Sequence, residues 1–300
     1  MKYTKKLTKL CILLLLLTSC NSDDDSSGIE QSQIRVKVIN ANNIYTYDVA
    51  YNEDGRISSI DKNSTGGTIT ILYAYNAQNQ PTQKGEALYT YNSVAKLSTI
   101  TTPTYTSNLT YDSEGKIALE EVVASNYTID RTFTYNTQGL PIEVLQHFVS
   151  NTIGIAPYKK YLITYNNNDN ITKVLEKQSS DNITYVDRWE SKYGYDNKNS
   201  PILNLHENTG GNFGLSYHIG ILHSYGGNYV LTETPYLYKY SKNNLLFYTR
   251  TDLNNNKEYK TTYEYQYNED GYPDITTLTI FNPNSQTSDE IIYTWTYEKK

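Results

Sequence analysis

Tyr127-Thr128-Ile129-Asp130-Arg131-Thr132-Phe133-Thr134-Tyr135-Asn136-Thr137-Gln138-Gly139-Leu140-Pro141 decides the fold of this chain. Tyr127, Ile129, Arg131, Phe133 and Tyr135 share one parity; Thr128, Asp130, Thr132 and Thr134 share the other. Successive side chains of a strand point to opposite faces, so this is a half-buried strand with one aromatic side and one Thr-rich side. It runs into Asn136-Thr137-Gln138-Gly139. There an Asn side chain bonds nearby backbone and Gly accepts positive φ, so a hairpin closing on a left-handed Gly is expected.

The same phrase recurs: Tyr, then Asn or Asp, two or three loose residues, often Gly, then Ile, Leu or Pro. Tyr51-Asn52-Glu53-Asp54-Gly55-Arg56-Ile57 and Tyr111-Asp112-Ser113-Glu114-Gly115-Lys116-Ile117 are close copies. Weaker ones start at Tyr75, Tyr91, Tyr165, Tyr195, Tyr240 and Tyr267, and Gly is missing from all of these except the last. The parity split returns in Tyr45, Tyr47, Val49 and Tyr51, and in Tyr259, Thr261, Tyr263, Tyr265 and Tyr267. Return strands carry apolar pairs three apart, Ile57/Ile60, Leu97/Ile100 and Ile171/Val174, a spacing that one face accepts only through a bulge or a register adjustment. Phrases 16 to 45 residues apart fit hairpins of short strands. The expected fold is all-β: an antiparallel meander of about 18–20 strands, curled into a barrel-like or spiralling sheet with the aromatic face inward. A closed barrel of that size has a lumen too wide for side chains alone to fill, and tyrosine suits a damp one.

Thirty-two tyrosines and a single methionine accompany a net charge of −6 in 300 residues. Lys2, Lys5, Lys6 and Lys9 precede an apolar run from Leu10 to Leu17, too short to span a bilayer. Leu17-Thr18-Ser19-Cys20 resembles the lipobox of bacterial lipoproteins. That resemblance implies cleavage between Ser19 and Cys20 and lipidation of Cys20. An ordinary signal peptide with a chance cysteine is the alternative. Loss of residues 1–19 removes four lysines, leaving 22 Lys+Arg against 32 Asp+Glu and a net −10. Such a chain has no electrostatic reason to bind nucleic acid. Cys11 leaves with the signal and Cys20 takes lipid, so no thiol remains for a disulfide, a metal or catalysis. Residues 20–33, with Asp23-Asp24-Asp25, read as a flexible acidic tether, and 34–300 as one repeat β-domain.

An acidic run just after the lipidated cysteine resembles the surface-export signal of Bacteroidota lipoproteins. The expected location is therefore the outer membrane, lipid-anchored and facing the cell exterior. The phrases also look like the YD repeats of Rhs-type proteins, whose repeated hairpins build a long spiralling sheet. Together with the lipobox, the chain resembles Bacteroidota lipoproteins of unknown function with a porin-like β-fold. The resemblance implies curled all-β architecture and brings no catalytic residues. Alternate strand positions are mostly Tyr rather than Leu, Val or Phe, which argues against a membrane-spanning barrel.

The longest gap between phrases runs from Tyr195 to Tyr240, with an irregular insertion near 200–235 holding His206, His218 and His223. His218 and His223 differ by five and point to opposite faces of any one strand, so the three are weak metal candidates; no cofactor is expected. No Gly-x-Ser-x-Gly elbow exists, and Glu120-Glu121 and Asp289-Glu290 are strand neighbours that face apart. Aromatic rows including Trp189, Tyr193 and Trp295 offer glycan contacts if exposed and core if buried. The expected function is a non-enzymatic cell-surface lipoprotein for binding or envelope structure, partnered by the membrane and by a glycan or another envelope protein. A glycan-binding accessory lipoprotein of a polysaccharide-uptake system is the alternative, and a hydrolase with its site in the insertion is a third reading.

Overall fold

A computed structural model describes residues 34–42, 44–150, 154–155, 158–207 and 241–299. The signal and tether expected over residues 1–33 lie outside them. The strands are β1 (Ile34–Ala41), β2 (Tyr45–Tyr51), β3 (Ile57–Ser64), β4 (Gly67–Tyr75), β5 (Pro81–Lys84), β6 (Ala87–Tyr91), β7 (Leu97–Thr101), β8 (Tyr105–Tyr111), β9 (Ile117–Ala124) and β10 (Tyr127–Tyr135). They continue with β11 (Pro141–Ser150), β12 (Gly154–Ile155), β13 (Tyr158–Tyr165), β14 (Ile171–Ser179), β15 (Val186–Asn199), β16 (Asn243–Asp252), β17 (Lys257–Tyr267), β18 (Pro273–Asn282) and β19 (Thr287–Lys299). One short helix, α1 (Pro201–Glu207), stands between β15 and β16.

Each strand pairs antiparallel with its neighbour in sequence, and β19 pairs with β1. The two-residue β12 only extends the end of β11, which pairs directly with β13, so 18 strands form the wall of a closed barrel. At the seam Asn42 N–H donates to Ile292 O at 2.8 Å, and its side-chain Oδ1 accepts from Ile292 N–H at 2.6 Å. Closure removes the free sheet edges that a spiral would leave.

Seven turns repeat one geometry. The Asn or Asp after the phrase tyrosine accepts through Oδ1 from the backbone N–H four residues on, as in Asn52–Arg56 at 2.8 Å, Asp112–Lys116 at 2.8 Å and Asn166–Asn170 at 3.0 Å. The residue before that N–H is left-handed in every case. It is Gly at 55, 115, 139 and 271 (φ 77–83°) but Asn79 (58°), Ala95 (60°) and Asp169 (62°) elsewhere. Phrases lacking Gly therefore make the same turn, Asn and Asp tolerating the conformation and Ala95 bearing its steric cost. Replacing Ala95→Gly is expected to raise stability by about 0.5–1 kcal/mol, read as a higher urea midpoint at unchanged slope. A lower midpoint would refute the strain at Ala95.

The spacing of three is a register shift at the foot of each hairpin. Tyr51 pairs with Ile57 and Ala50 with Ser59, so Ser58 is bulged and Ile57 and Ile60 face the same way. Tyr91/Leu97 and Tyr165/Ile171 repeat it. The next ladder stops short of that first return residue: β3 pairs with β4 only from Ser59 onward, leaving the Ile57 carbonyl outside it. The next phrase's tyrosine takes it, Tyr75 Oη donating to Ile57 O at 2.7 Å. The rung recurs as Tyr51 to Val36, Tyr91 to Pro81, Tyr111 to Leu97, Tyr135 to Ile117, Tyr165 to Pro141 and Tyr297 to Pro273, all within 2.5–3.0 Å. These seven rungs each tie a strand to the strand before it through a backbone carbonyl.

One repeat is split. Tyr195 pairs with Leu245, and Asp196 Oδ1 accepts from Asn244 N–H at 3.0 Å, the contact that closes the other turns. The insertion sits inside this turn. The phrase expected to begin at Tyr240 is not a further repeat unit, because Asn244-Leu245 completes the one begun at Tyr195; Tyr240 itself lies outside the described residues. The split displaces one rung: Tyr265 donates to Leu245 O at 2.7 Å, and Tyr267 turns to the Asp196 carboxylate.

The aromatic parity faces inward. Val144, Tyr161, Ile171, Val174, Tyr193, Tyr248 and Tyr263 pack as one cluster, and Tyr89, Leu97, Leu109 and Ile117 as a second. Fully buried isoleucines such as Ile57 and Ile117 each contribute about 1.5–3 kcal/mol. A third cluster, Val36, Val49 and Ile57, receives Leu205 of α1, so the helix reaches the inner wall beneath β1–β3. Pro201 occupies the first helical position, and Ser200 Oγ accepts from Leu203 N–H at 3.4 Å, capping the start. The outward parity is Thr-rich and charged: Asp48, Asp61, Asp130, Lys160, Lys173, Lys192, Lys260 and Glu264 all lie on it.

Candidate functional site: the inner wall

Charged residues interrupt the inward aromatic face over half the barrel. Arg131 of β10 is 1% exposed and Glu120 of β9 is 0% exposed. Arg131 Nη1 donates to Glu120 Oε2 at 2.6 Å and Arg131 Nε to Gln146 Oε1 at 2.9 Å. Ser107 Oγ donates to the other Glu120 oxygen at 2.7 Å. Both carboxylate oxygens are held, so this group is a strand clamp rather than a site with room for a substrate. Glu121, its neighbour in sequence, faces outward and accepts from Asn108 Nδ2 at 3.3 Å, as strand alternation requires.

A second network continues the belt. Glu176 of β14 accepts through Oε1 from Lys159 Nζ at 3.2 Å and Gln178 Nε2 at 3.0 Å, and its Oε2 faces Arg250 Nη2 at 3.7 Å. The Arg250 guanidinium lies 4.2 Å from the Trp189 ring centroid, and that of Arg188 lies 5.3 Å from it. Arg188 Nη1 also donates to Asp252 Oδ1 at 2.6 Å. In both networks the buried acid is held between cations and neutral hydrogen-bond donors. Among the described residues no group of three or more His, Cys, Asp or Glu could hold a metal ion.

The residues singled out from the sequence are dispersed. Tyr193 is 4% exposed and belongs to the core, its ring tilted against Tyr248 with centroids 5.1 Å apart. Trp189 is half-buried beneath Arg250. Trp295 packs against the Val36 cluster and donates through Nε1 to Thr276 Oγ1 at 3.0 Å. These three belong to the inward face and form no exposed row. The His206 side chain, His218 and His223 lie outside the described residues, as do Ser19 and Cys20. His147 faces outward and stacks on Tyr158 with centroids 4.4 Å apart. The belt itself left one trace in the sequence: Arg131 shares its parity with four apolar or aromatic residues, and only a buried partner explains a charge there.

Fold and wall define a closed antiparallel β-barrel with its aromatic face inward and an outer face that mixes Thr, charged and exposed apolar residues such as Leu72 and Leu88. No family model matches the chain, and no curated protein matches it. Among solved structures it is similar to a porin-like protein from Bacteroides vulgatus ATCC 8482, at 9% identity and a TM-score of 0.49 over 80% of this chain and 98% of that one. A porin-like protein from Bacteroides uniformis ATCC 8492 is similar at 14% identity and a TM-score of 0.46, over 88% and 95% of the two chains. A TcdB2-TccC3 structure matches at 13% identity and a TM-score of 0.39, over 85% of this chain and 14% of that one. Likeness at this level carries no functional information.

Proposed function

We propose that the protein is a non-enzymatic lipoprotein of the outer membrane: lipidated at Cys20, displayed on the cell exterior by its acidic tether, and holding a barrel that stands in water. The outward parity carries this reading. Lys160, Lys173, Lys192 and Lys260 face outward on four different strands, and each lysine turned toward lipid at mid-bilayer would cost about 2–4 kcal/mol. Replacing Cys20→Ala is expected to move the protein from the membrane fraction to the soluble fraction. The chain from Asn21 onward is expected to stay monomeric in buffer without detergent. A monomer obtained only in detergent overturns the reading, and full resistance of intact cells to surface proteolysis removes the outward placement. A glycan-binding role through Trp189, Tyr193 and Trp295 has less support, since those rings pack in the wall.

A further inference from the structure

Inward charges are neutralised on one arc of the barrel and left single on another. From β8 to β16 each inward cation meets an inward acid: Arg131 meets Glu120, and Lys159 and Arg250 meet Glu176. On the β2–β5 arc two lysines also start from the inner face. Lys62 pairs in register with Tyr47 and Ile69, and Lys84 with Tyr73. Tyr73 packs on the inner Val36 cluster, which fixes the side to which Lys84 belongs. The acids of β2 and β3 point the other way: Asp48 accepts from Asn63 Nδ2 and Asp61 from Thr70 Oγ1, both at 2.6 Å on the outer face. Among the described residues neither ammonium group forms an ion pair. Lys62 Nζ lies 4.2 Å from the Tyr45 ring centroid and 5.8 Å from that of Tyr47.

The wall is low beside these lysines. β5 and β6 have four and five residues against nine in β4, so residues 68–71 rise past the β5–β6 hairpin, whose Gly85 N–H donates to Leu72 O at 2.7 Å. Ile69 is consequently 65% exposed and Tyr45 38% exposed, although their registers place both on the inner face. Surrounding protein desolvates Lys84 and lowers its pKa, yet its side chain stays open to solvent. A cation with no acid among the described residues to meet it gains from an arriving anion. Apolar surface exposed next to it favours a ligand that also brings an apolar body.

We propose that this notch in the barrel mouth binds an organic carboxylate with an apolar body. The carboxylate is drawn toward the two lysines, which flank β4 on either side at registers four positions apart, and the body lies between them on Ile69 and Ile71. The reading is independent of lipid anchoring and is tested on the chain from Asn21 onward, which keeps every strand of the wall. Titration calorimetry with dodecanoate, dodecan-1-ol and glucuronate separates the contributions of charge and apolar body. Dodecanoate is expected to bind, with both other probes weaker by about tenfold or more. In the double variant Lys62→Gln/Lys84→Gln its affinity should fall by a similar factor, about tenfold, while Lys173→Gln on the outer wall leaves it unchanged. Dodecan-1-ol binding as tightly as dodecanoate, glucuronate binding as tightly, unchanged affinity in the double variant, or no dodecanoate binding at all each overturns the proposal.

Discussion

Raising the pH through the range from about 10 to about 12 is expected to unfold the barrel cooperatively, with stability flat between neutrality and about pH 9.5. The reason is the row of tyrosine hydroxyls that ties strand to strand along the wall. Burial pushes the phenols of Tyr75, Tyr91 and Tyr135 up to about 12, and those of Tyr51 and Tyr297 higher still. Each donates to a backbone carbonyl, which only the neutral phenol can do. An unfolded tyrosine ionises near pH 10, so the folded pKa lies above the unfolded one. The contribution of the phenols is therefore complete below about pH 10 and is lost as pH rises through about 12. Thermal midpoints across this range, recorded with phenolate absorbance, check the point. Phenolate should appear together with unfolding. The double variant Tyr75→Phe/Tyr135→Phe should be less stable at pH 7 and lose less between pH 9 and 12. Full ionisation of the tyrosines near pH 10 in an intact barrel would refute the rungs.

Removing Glu120 alone is expected to cost about 3–5 kcal/mol, a large share of the stability of an ordinary domain. Glu120→Ala leaves Arg131, itself 1% exposed, with a buried guanidinium and Gln146 as its remaining partner within the clamp. Replacing both residues, Glu120→Met with Arg131→Met, should cost far less, because the desolvated charges leave together. Urea unfolding of the single and double variants measures the difference. A single variant losing under about 1 kcal/mol would place the pair in water rather than in the wall. The same logic distinguishes the two arcs: the clamped belt is sensitive to losing one partner, whereas Lys62 and Lys84 have no acid partner among the described residues.

Local chemistry explains which parts of this architecture were legible. Alternation in Tyr127 to Tyr135 named the strand and its inward face, and Asn136 to Gly139 named the turn. The Ile57/Ile60 spacing gave away the bulge, since period two cannot put both on one face without an extra residue. Ala95 and Asp169 hid the regularity of the turns: their left-handed conformation is imposed by the Asx hydrogen bond and the pairing of both flanking strands, a constraint that their identity does not reveal. Tyr240 misled for the converse reason, a phrase-like start in a segment whose repeat had already opened at Tyr195.

By itself the sequence determined what depends on neighbours in the chain: strands, turns, bulges, an inward aromatic face and a strand count of about 18–20. The tertiary structure alone decided what depends on residues far apart. Closure pairs Asn42 with Ile292, the tyrosine rungs reach carbonyls 10 to 24 positions back, and Asp196 closes its turn on Asn244 across the insertion. Burial decided the rest. A charge on the inward parity is a clamp where an opposite charge stands on the next strand, as at Glu120 and Arg131, and, among the described residues, an unmatched cation where none does, as at Lys62 and Lys84. Which it becomes is set by strand register and wall height, and neither is written within any single hairpin.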